Sequence, residues 1–251
     1  MNLDAIALLQ LVFIVFVSAI AQSTVGFGYA LFSAPLLLLI GIPLPNIIVL
    51  IGSCSLFQSI LGTWKMREFV PWKLTLTSSI IRIASLLLGV FLLKQLVLFS
   101  NQHIRCVIGL VICLIVISQF FFKAQPKAKV HWGWASLAFI GSGVMAGVVG
   151  MGGPALVLWS MSQNWDAKKI RAFLFSAFAT SIPVQILIFY LSFGSEILRS
   201  AVLAMILIPV IWLGTYIGLP LGNKMDKDKL KLIAYSILLI LGLSSIIPVF
   251  F

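Results

Sequence analysis

Long apolar stretches follow one another along the chain, with only short polar segments between them. Eight stretches can be distinguished, at approximately 4–40, 46–64, 74–93, 104–122, 132–162, 170–191, 198–221 and 230–251. A helix rises about 1.5 Å per residue, so a hydrocarbon core of about 30 Å takes about twenty residues to cross. The pattern predicts an all-α polytopic membrane protein, and 1–251 reads as a single transmembrane domain.

Two stretches, 4–40 and 132–162, are too long for one straight crossing. Each contains a glycine cluster. The clusters are Gln22-Ser23-Thr24-Val25-Gly26-Phe27-Gly28 and Gly147-Val148-Val149-Gly150-Met151-Gly152-Gly153-Pro154. Glycine frees the backbone, and proline suits the first turn of a helix. We therefore predict that each long stretch breaks at its cluster and continues as a short helix, at about 28–40 and 154–162.

The two clusters can be aligned with each other. Val25–Gly28 matches Val149–Gly152 at a shift of 124 residues, and a second pair, Gly89 and Gly214, is separated by 125. Because this shift is about half the chain, we predict two structural repeats, each a broken, re-entrant hairpin followed by three transmembrane helices. Their approximate bounds are 1–125 and 126–251.

Basic residues in the loops predict the topology. They form five groups: Lys65/Arg67/Lys73, Lys94/Arg105, Lys123/Lys127/Lys129, Lys168/Lys169/Arg171 and Lys224/Lys227/Lys229/Lys231. If each broken stretch returns to its own side, four groups lie together and only Lys94 and Arg105 lie opposite, as the positive-inside rule favours. Each half then crosses the membrane an odd number of times. The two repeats are therefore inverted, and their hairpins enter from opposite faces.

Composition excludes several classes of protein. Hydrophobic residues make up 61% of the chain and charged residues 9%, whereas soluble domains carry charges at roughly a quarter of positions. The net charge of +11 lies mostly in short loops, which argues against nucleic-acid binding. The three cysteines form no C-x-x-C pair, and no acid or nucleophile motif accompanies the two histidines. We expect no enzyme activity, metal or cofactor.

The predicted hairpin tips are the first candidate site. Each tip would place the N-terminus of a short helix near the bilayer interior, where unpaired N–H groups and the positive end of the dipole bind anions. The candidate substrate-binding residues there are Gln22, Ser23, Thr24, Gly26, Phe27, Gly28, Gly150, Met151, Gly152 and Gly153. Close helix packing is the alternative role for glycine, and we favour it for Gly141, Gly143 and Gly147.

Polar side chains inside other helices extend the candidate site. Arg82 lies in the middle of the stretch 74–93, where an ionised group is costly and faces a cavity or a partner unless it reaches the interface. Its guanidinium matches the oxygens of a sulfite or sulfonate. Gln58 and Gln185 fall near equivalent positions of the two repeats, where an amide either lines a pathway or links helices.

The charges also bear on how an anion would move. All six acids lie in loops or at the ends of stretches, so a proton relay through carboxylates is not expected. The membrane potential contributes about 2.3 kcal/mol per charge per 100 mV to the exit of an anion, which makes export possible without a coupling ion. Sodium coupling through backbone carbonyls at the breaks stays open.

The motifs resemble those of the sulfite exporter TauE/SafE family, also called toluene-sulfonate uptake permeases. The matching residues are Gly26-Phe27-Gly28, Pro35, Gly150-Met151-Gly152-Gly153-Pro154 and Arg171. The resemblance implies a multi-pass permease of a bacterial cytoplasmic membrane whose relatives handle sulfite, sulfoacetate and other organosulfonates, chiefly outward. We expect export by alternating access. The alternatives are an uptake carrier, and a permease or channel for another small anion such as a carboxylate.

Overall fold

The computed structural model describes residues 5–98 and 132–224, and the side chains within them except at 223 and 224. Nine helices lie in these ranges. They are α1 (Ala5–Val25), α2 (Tyr29–Leu39), α3 (Leu44–Lys65), α4 (Trp72–Leu96), α5 (Trp132–Val149), α6 (Gly153–Met161), α7 (Ala167–Phe193), α8 (Leu198–Ile206) and α9 (Ile208–Lys224). The predicted crossings 104–122 and 230–251 and the basic groups at 123–129 and 227–231 lie outside the described residues.

Five of these helices, α1, α3, α4, α5 and α7, are long and apolar enough to cross a membrane. A sixth candidate crossing is the pair Ser195–Ile206 and Ile208–Gly222, which is bent by 54°. The prediction of an all-helical, multi-pass membrane protein is therefore confirmed for the described residues. The bend itself was not predicted, because 198–221 had been read as one crossing. Pro209 follows it directly, and proline removes a helical N–H and clashes with the preceding turn.

Both predicted breaks are present. α1 ends at Val25 before α2 begins at Tyr29, and α5 ends at Val149 before α6 begins at Gly153. Gly26, Gly28 and Gly150 have positive φ angles of 93°, 106° and 74°, which favour glycine. Gly152 differs, because its φ is −73°. There the lack of a side chain matters, since a Cβ would lie 2.6 Å from the carbonyl oxygen of Ser142.

Glycines hold α4 against α5. A Cβ on Gly143 would clash with the backbone at Arg82 and the side chain of Ser85, and one on Gly147 would lie 2.7 Å from Leu86 O. The packing interpretation is confirmed for these two glycines. It is wrong for Gly141, where a Cβ would meet nothing within 4 Å. Because the contact positions increase together along both helices, α4 and α5 run in the same direction.

A second glycine seam joins α9 to α1. A Cβ on Gly214 would lie 2.7 Å from Ala19 Cβ, and one on Gly218 would lie 2.6 Å from Ile20 O. Gly222 packs farther along, against the backbone of Thr24. The positions again rise together, so α1 and α9 are parallel. Of the two glycines aligned in the sequence, Gly89 of α4 packs against α5, and Gly214 of α9 packs against α1.

Contacts among the other helices give the directions of the remaining long helices. Hydroxyl pairs Thr75–Ser176 (3.0 Å) and Ser79–Thr180 (2.6 Å) join α4 and α7, which are therefore parallel. The bonds Asn46–Ser200 (3.1 Å) and Gln58–Thr215 (2.7 Å) join α3 to α8 and α9 in parallel. α3 and α7 pack in opposite directions, because Gly52 faces Ile182 and Gly62 faces Phe175. Hence α1, α3 and α9 run one way and α4, α5 and α7 the other.

Two basic groups lie together on one face. The short 3-10 turn Arg67–Phe69 contacts α7, and Lys168 Nζ lies 5.6 Å from the centroid of the Phe69 ring. Lys94 lies at the far end of α4, with Nζ 6.0 Å from the ring centroid of Phe193 at the far end of α7. Among the described residues, these two basic groups therefore lie on one face and Lys94 lies on the other, together with Arg199 at the start of α8.

Candidate functional site

A cavity lies where the two breaks meet α3, α4 and α7. The cavity has a volume of about 50 Å³ and is partly open to the outside. On this measure one water needs about 10–15 Å³, so the cavity has room for a few waters or one small anion. The lining residues are Gln22, Gly28, Tyr29, Ala30, Leu31, Ile48, Ile51, Gly52, Ser55, Arg82, Ala146, Gly150, Met151, Gly152, Gly153, Pro154, Phe178, Ile182 and Gln185.

The first break presents the start of α2 to this cavity. Gly28 caps α2 without a side chain, and the helical bonds begin with Phe32 N to Gly28 O at 3.1 Å. The N–H groups of the first turn therefore have no acceptor within the helix. Because Tyr29, Ala30 and Leu31 line the cavity, these donors and the positive dipole end lie beside it.

The second break approaches the first. A Cβ on Gly153 would lie 3.4 Å from Phe27 Cβ, which shows how close the two tips are. Within this tip, Gly150 N and Met151 N bond to backbone oxygens of α5, each at 3.2 Å. Pro154 offers no N–H, so the second tip has one donor fewer than the first. The two helix starts are thus similarly placed but not equivalent.

Arg82 supplies a positive side chain to the same cavity. It is 3% exposed, with Nε bonded to Ser142 Oγ (2.9 Å) and Nη1 to Ala177 O (2.9 Å) and Ser181 Oγ (2.7 Å). Nη2 has no hydrogen-bond partner among the described residues. Phe178 covers the guanidinium at 5.2 Å from its ring centroid. The side chain is directed inward and does not reach the interface.

No described carboxylate neutralises Arg82. The three acids in this part of the chain all lie outside the long helices. Glu68 and Glu196 are in short 3-10 turns, and Asp166 is at the N-cap of α7. Asp166 there accepts a bond from Lys169 N at 2.8 Å. A buried cation without a counter-charge is costly, so the site favours an anion in the cavity.

Two amides complete the polar part of the lining. Gln22 Nε2 lies 2.8 Å from Ser55 Oγ, which links the end of α1 to α3. Gln185 Nε2 reaches Ala146 O at 3.4 Å, a long and weak bond that leaves the amide able to turn toward a ligand. Of the thirteen candidate residues from the sequence, those lining the cavity are Gln22, Gly28, Arg82, Gly150, Met151, Gly152, Gly153 and Gln185.

The other five candidates, Ser23, Thr24, Gly26, Phe27 and Gln58, do not line the cavity. Gln58 Nε2 bonds to Ala19 O (2.9 Å), Ser23 Oγ (2.7 Å) and Thr215 Oγ1 (2.7 Å), so it links α3 to α1 and α9. Thr24 Oγ1 bonds to Ile20 O within its own helix. Gly26 and Phe27 form the turn of the first break, with Gly26 against the side chain of Arg171.

The sequence reading missed several residues of the site. Ser55, Ser142, Ser181 and Phe178 all contact the polar groups of the cavity or line it. Serine and phenylalanine are common in membrane helices, so nothing in their identity marks them. Only the helix crossings bring them to Arg82 and Gln22.

Among the described residues, no three His, Cys, Asp or Glu side chains are placed to hold an ion. The arrangement consists of hydrogen-bond donors, one guanidinium and apolar walls. It can bind and orient a small anion, and it holds no group placed to act as a nucleophile or general base.

Comparison with known proteins supports the same class of function. No curated protein and no solved structure matches the chain. The family described as Sulfite exporter TauE/SafE matches residues 11–245, which is nearly the whole chain. That family comprises membrane transporters of sulfur anions and not enzymes. Because this match covers nearly the whole chain, the chain belongs to the sulfite exporter TauE/SafE family.

Proposed function

We propose that the protein exports small sulfur oxyanions, such as sulfite or an organosulfonate, across a bacterial cytoplasmic membrane. The observation that carries the proposal is Arg82, a buried cation without a described counter-charge, in a cavity beside the starts of α2 and α6. Its Nη2 is the donor left for a ligand, and the first-turn N–H groups of α2 add further donors. Anion charge and guanidinium charge then neutralise each other.

Several negatively charged oxygens suit this site better than one. A sulfite or sulfonate group presents three oxygens around one sulfur, so it accepts bonds from the guanidinium and from a helix start at once. The apolar side chains of Ile48, Ile51 and Ile182 line the remaining wall and could contact the carbon chain of an organosulfonate. A carboxylate is the second candidate, because it also pairs with guanidinium.

Alternating access follows from inverted repeats, which the helix directions support. The first helices of the two halves, α1 and α5, run in opposite directions, as do the next long helices, α3 and α7. α1 and α3 are parallel, so α2 returns the chain between them, and α6 does the same between α5 and α7. Two re-entrant hairpins then enter from opposite faces, with the anion between their tips.

The test is transport into proteoliposomes that contain the purified protein. Sulfite, thiosulfate, sulfoacetate, isethionate, taurine and acetate are compared, with and without a membrane potential and with sodium and proton gradients imposed separately. We expect saturable flux of a sulfur oxyanion that responds to the potential, and none of zwitterionic taurine. Preference for acetate would favour the carboxylate candidate. Flux that does not saturate would indicate a channel, and no flux would contradict the proposal.

A further inference from the structure

Ser142 occupies a place in the site that neither composition nor spacing indicated. It lies in α5, is completely buried, and bridges two of the groups that face the anion. Its Oγ is 2.9 Å from Arg82 Nε and 2.6 Å from Gly152 O. We infer that Ser142 is a positioning residue that orients the guanidinium of Arg82 and fastens it to the tip before α6. This inference rests on the proposed function.

The direction of the two bonds follows from proton counting. Arginine Nε carries a hydrogen and cannot accept, and the Gly152 carbonyl oxygen can only accept. The single hydroxyl proton of Ser142 therefore points to Gly152 O, and its lone pair accepts from Arg82 Nε. Alanine cannot make either bond, so both Nε and Gly152 O would lose this partner at once.

Ser181 provides an internal comparison. It is also a buried serine hydroxyl bonded to Arg82, at 2.7 Å from Nη1. Among the described residues, Nη1 has a second acceptor, Ala177 O at 2.9 Å, whereas Nε bonds to Ser142 alone. Within the same part of the chain, Ser181 bonds onward only to its own helix, at Ala177 O, and has no bond to a tip. Loss of Ser181 should therefore leave the guanidinium better held than loss of Ser142.

The connection has a mechanical consequence. Ser142 links Arg82 of α4 by hydrogen bonds to the backbone just before α6. Close packing at Gly143 and Gly147 holds α4 against α5 in the same region. The cation and the second tip should therefore move together. The first tip is held by α3, through the bond from Gln22 to Ser55, and by α7, through the bond from Arg171 Nη2 to Ser23 O (2.7 Å). Since Arg82 Nη1 also bonds to α7, that helix contacts both parts of the site, and the bond of Ser142 is the direct link between Arg82 and the second tip.

The experiment measures binding and transport of sulfite, or of whichever anion the wild type transports, in four variants. These are Ser142→Ala, Ser181→Ala, Arg82→Gln and the double variant Arg82→Gln with Ser142→Ala. We expect Ser142→Ala to raise the Kd about tenfold or more, as loss of a charge-assisted bond does, and Ser181→Ala to raise it less. In the Arg82→Gln background, Ser142→Ala should change the Kd by less than twofold.

Thermal unfolding in detergent provides the structural control. Ser160→Ala is matched, because Ser160 is buried in α6 and its one side-chain bond within residues 5–98 and 132–224 goes to Val157 O. We expect Ser142→Ala to bind weakly while unfolding near the temperature of Ser160→Ala. A wild-type Kd in Ser142→Ala, or equal losses with and without Arg82, would overturn the positioning role. Failure of the proposed function is distinct, because then the wild type itself would neither bind nor transport these anions.

Discussion

At the scale of single residues, the state of Arg82 decides what the cavity can hold. Its Nε and Nη1 are engaged by α5 and α7, and the residue still lines the cavity. Mid-helix placement marked it in the sequence as either a site residue or a side chain reaching the interface. Burial of the side chain argues against a guanidinium that reaches the membrane interface, because the group stays inside the protein.

Substitutions of Arg82 test separately the positive charge of the side chain and the planar, forked arrangement of its guanidinium N–H donors. Arg82→Lys keeps the charge but loses the planar donors, so we expect anion affinity to fall about tenfold; Arg82→Gln also loses the charge, so affinity should fall further, by about a hundredfold. The measurement is initial flux per folded transporter in proteoliposomes. Arg199→Gln is the control, because Arg199 is exposed and lies outside the cavity lining. Full activity in both Arg82 variants would refute the binding role.

The glutamines show why residue type alone was not enough. Gln22 was a candidate because it precedes the first break, and Gln58 and Gln185 were candidates because an intramembrane amide either lines a pathway or links helices. The structure gives them different roles. Gln22 and Gln185 line the cavity, whereas Gln58 Nε2 hydrogen-bonds to three oxygens of α1 and α9. The difference depends on which face of α3 meets its neighbours, and the local sequence does not encode it.

At the scale of elements, the break before α2 sets the direction of its first N–H groups. Gly28→Ala adds a Cβ that meets only the Phe32 ring, at 3.6 Å, so its effect comes from the φ of +106°. Such strain is on the order of 1–3 kcal/mol, and relaxing it should rotate the donors away from the cavity. We expect flux to fall at least about tenfold.

The control for this variant is Gly41→Ala. Gly41 also has positive φ, at +84°, with open space around a Cβ, and it does not line the cavity. The two variants should lose similar stability in thermal unfolding, while only Gly28→Ala loses transport. If both lost transport equally, general destabilisation would explain the result and the tip would have no special role.

The seam between α4 and α5 gives a prediction about stability. Gly143→Ala forces a Cβ into the backbone at Arg82, and overpacking of this kind costs about 1–3 kcal/mol. Gly141→Ala meets nothing and improves helix propensity, so it should be neutral or stabilising by up to about 1 kcal/mol. Unfolding in detergent, followed by circular dichroism, compares the two. Equal stability would show that α4 and α5 are not in close contact.

At the scale of the whole molecule, the helix directions assign the loops to two faces. The turn Arg67–Phe69 and the start of α7 share one face, and the 22 residues of α3 extend about 33 Å to the other. In a cysteine-free background, Glu68→Cys and Asn164→Cys should react with an impermeant maleimide from the cytoplasmic side. Leu98→Cys and Ser195→Cys should react from outside, and labelling of all four from one side would contradict the topology.

The sequence by itself determined the elements and the positions of the two breaks. Hydrophobic length sets the number of crossings, and glycine clusters set where the backbone leaves the helix, because both effects are local. The basic loops similarly indicated which ends lie together. The bend after α8 escaped this reading, although Pro209 was a local signal for it, because the apolar stretch continues through it.

Only the tertiary structure decided which residues meet in the cavity. In a bilayer, lipid-facing and protein-facing positions are both apolar, so the helices show little of the periodicity that reveals a buried face in a soluble protein. The sequence therefore could not tell Gly143 from Gly141, or bring Ser142 to Arg82. Those pairings arise from the crossing of α4, α5 and α7, and they turn two glycine breaks and one arginine into a site for an anion.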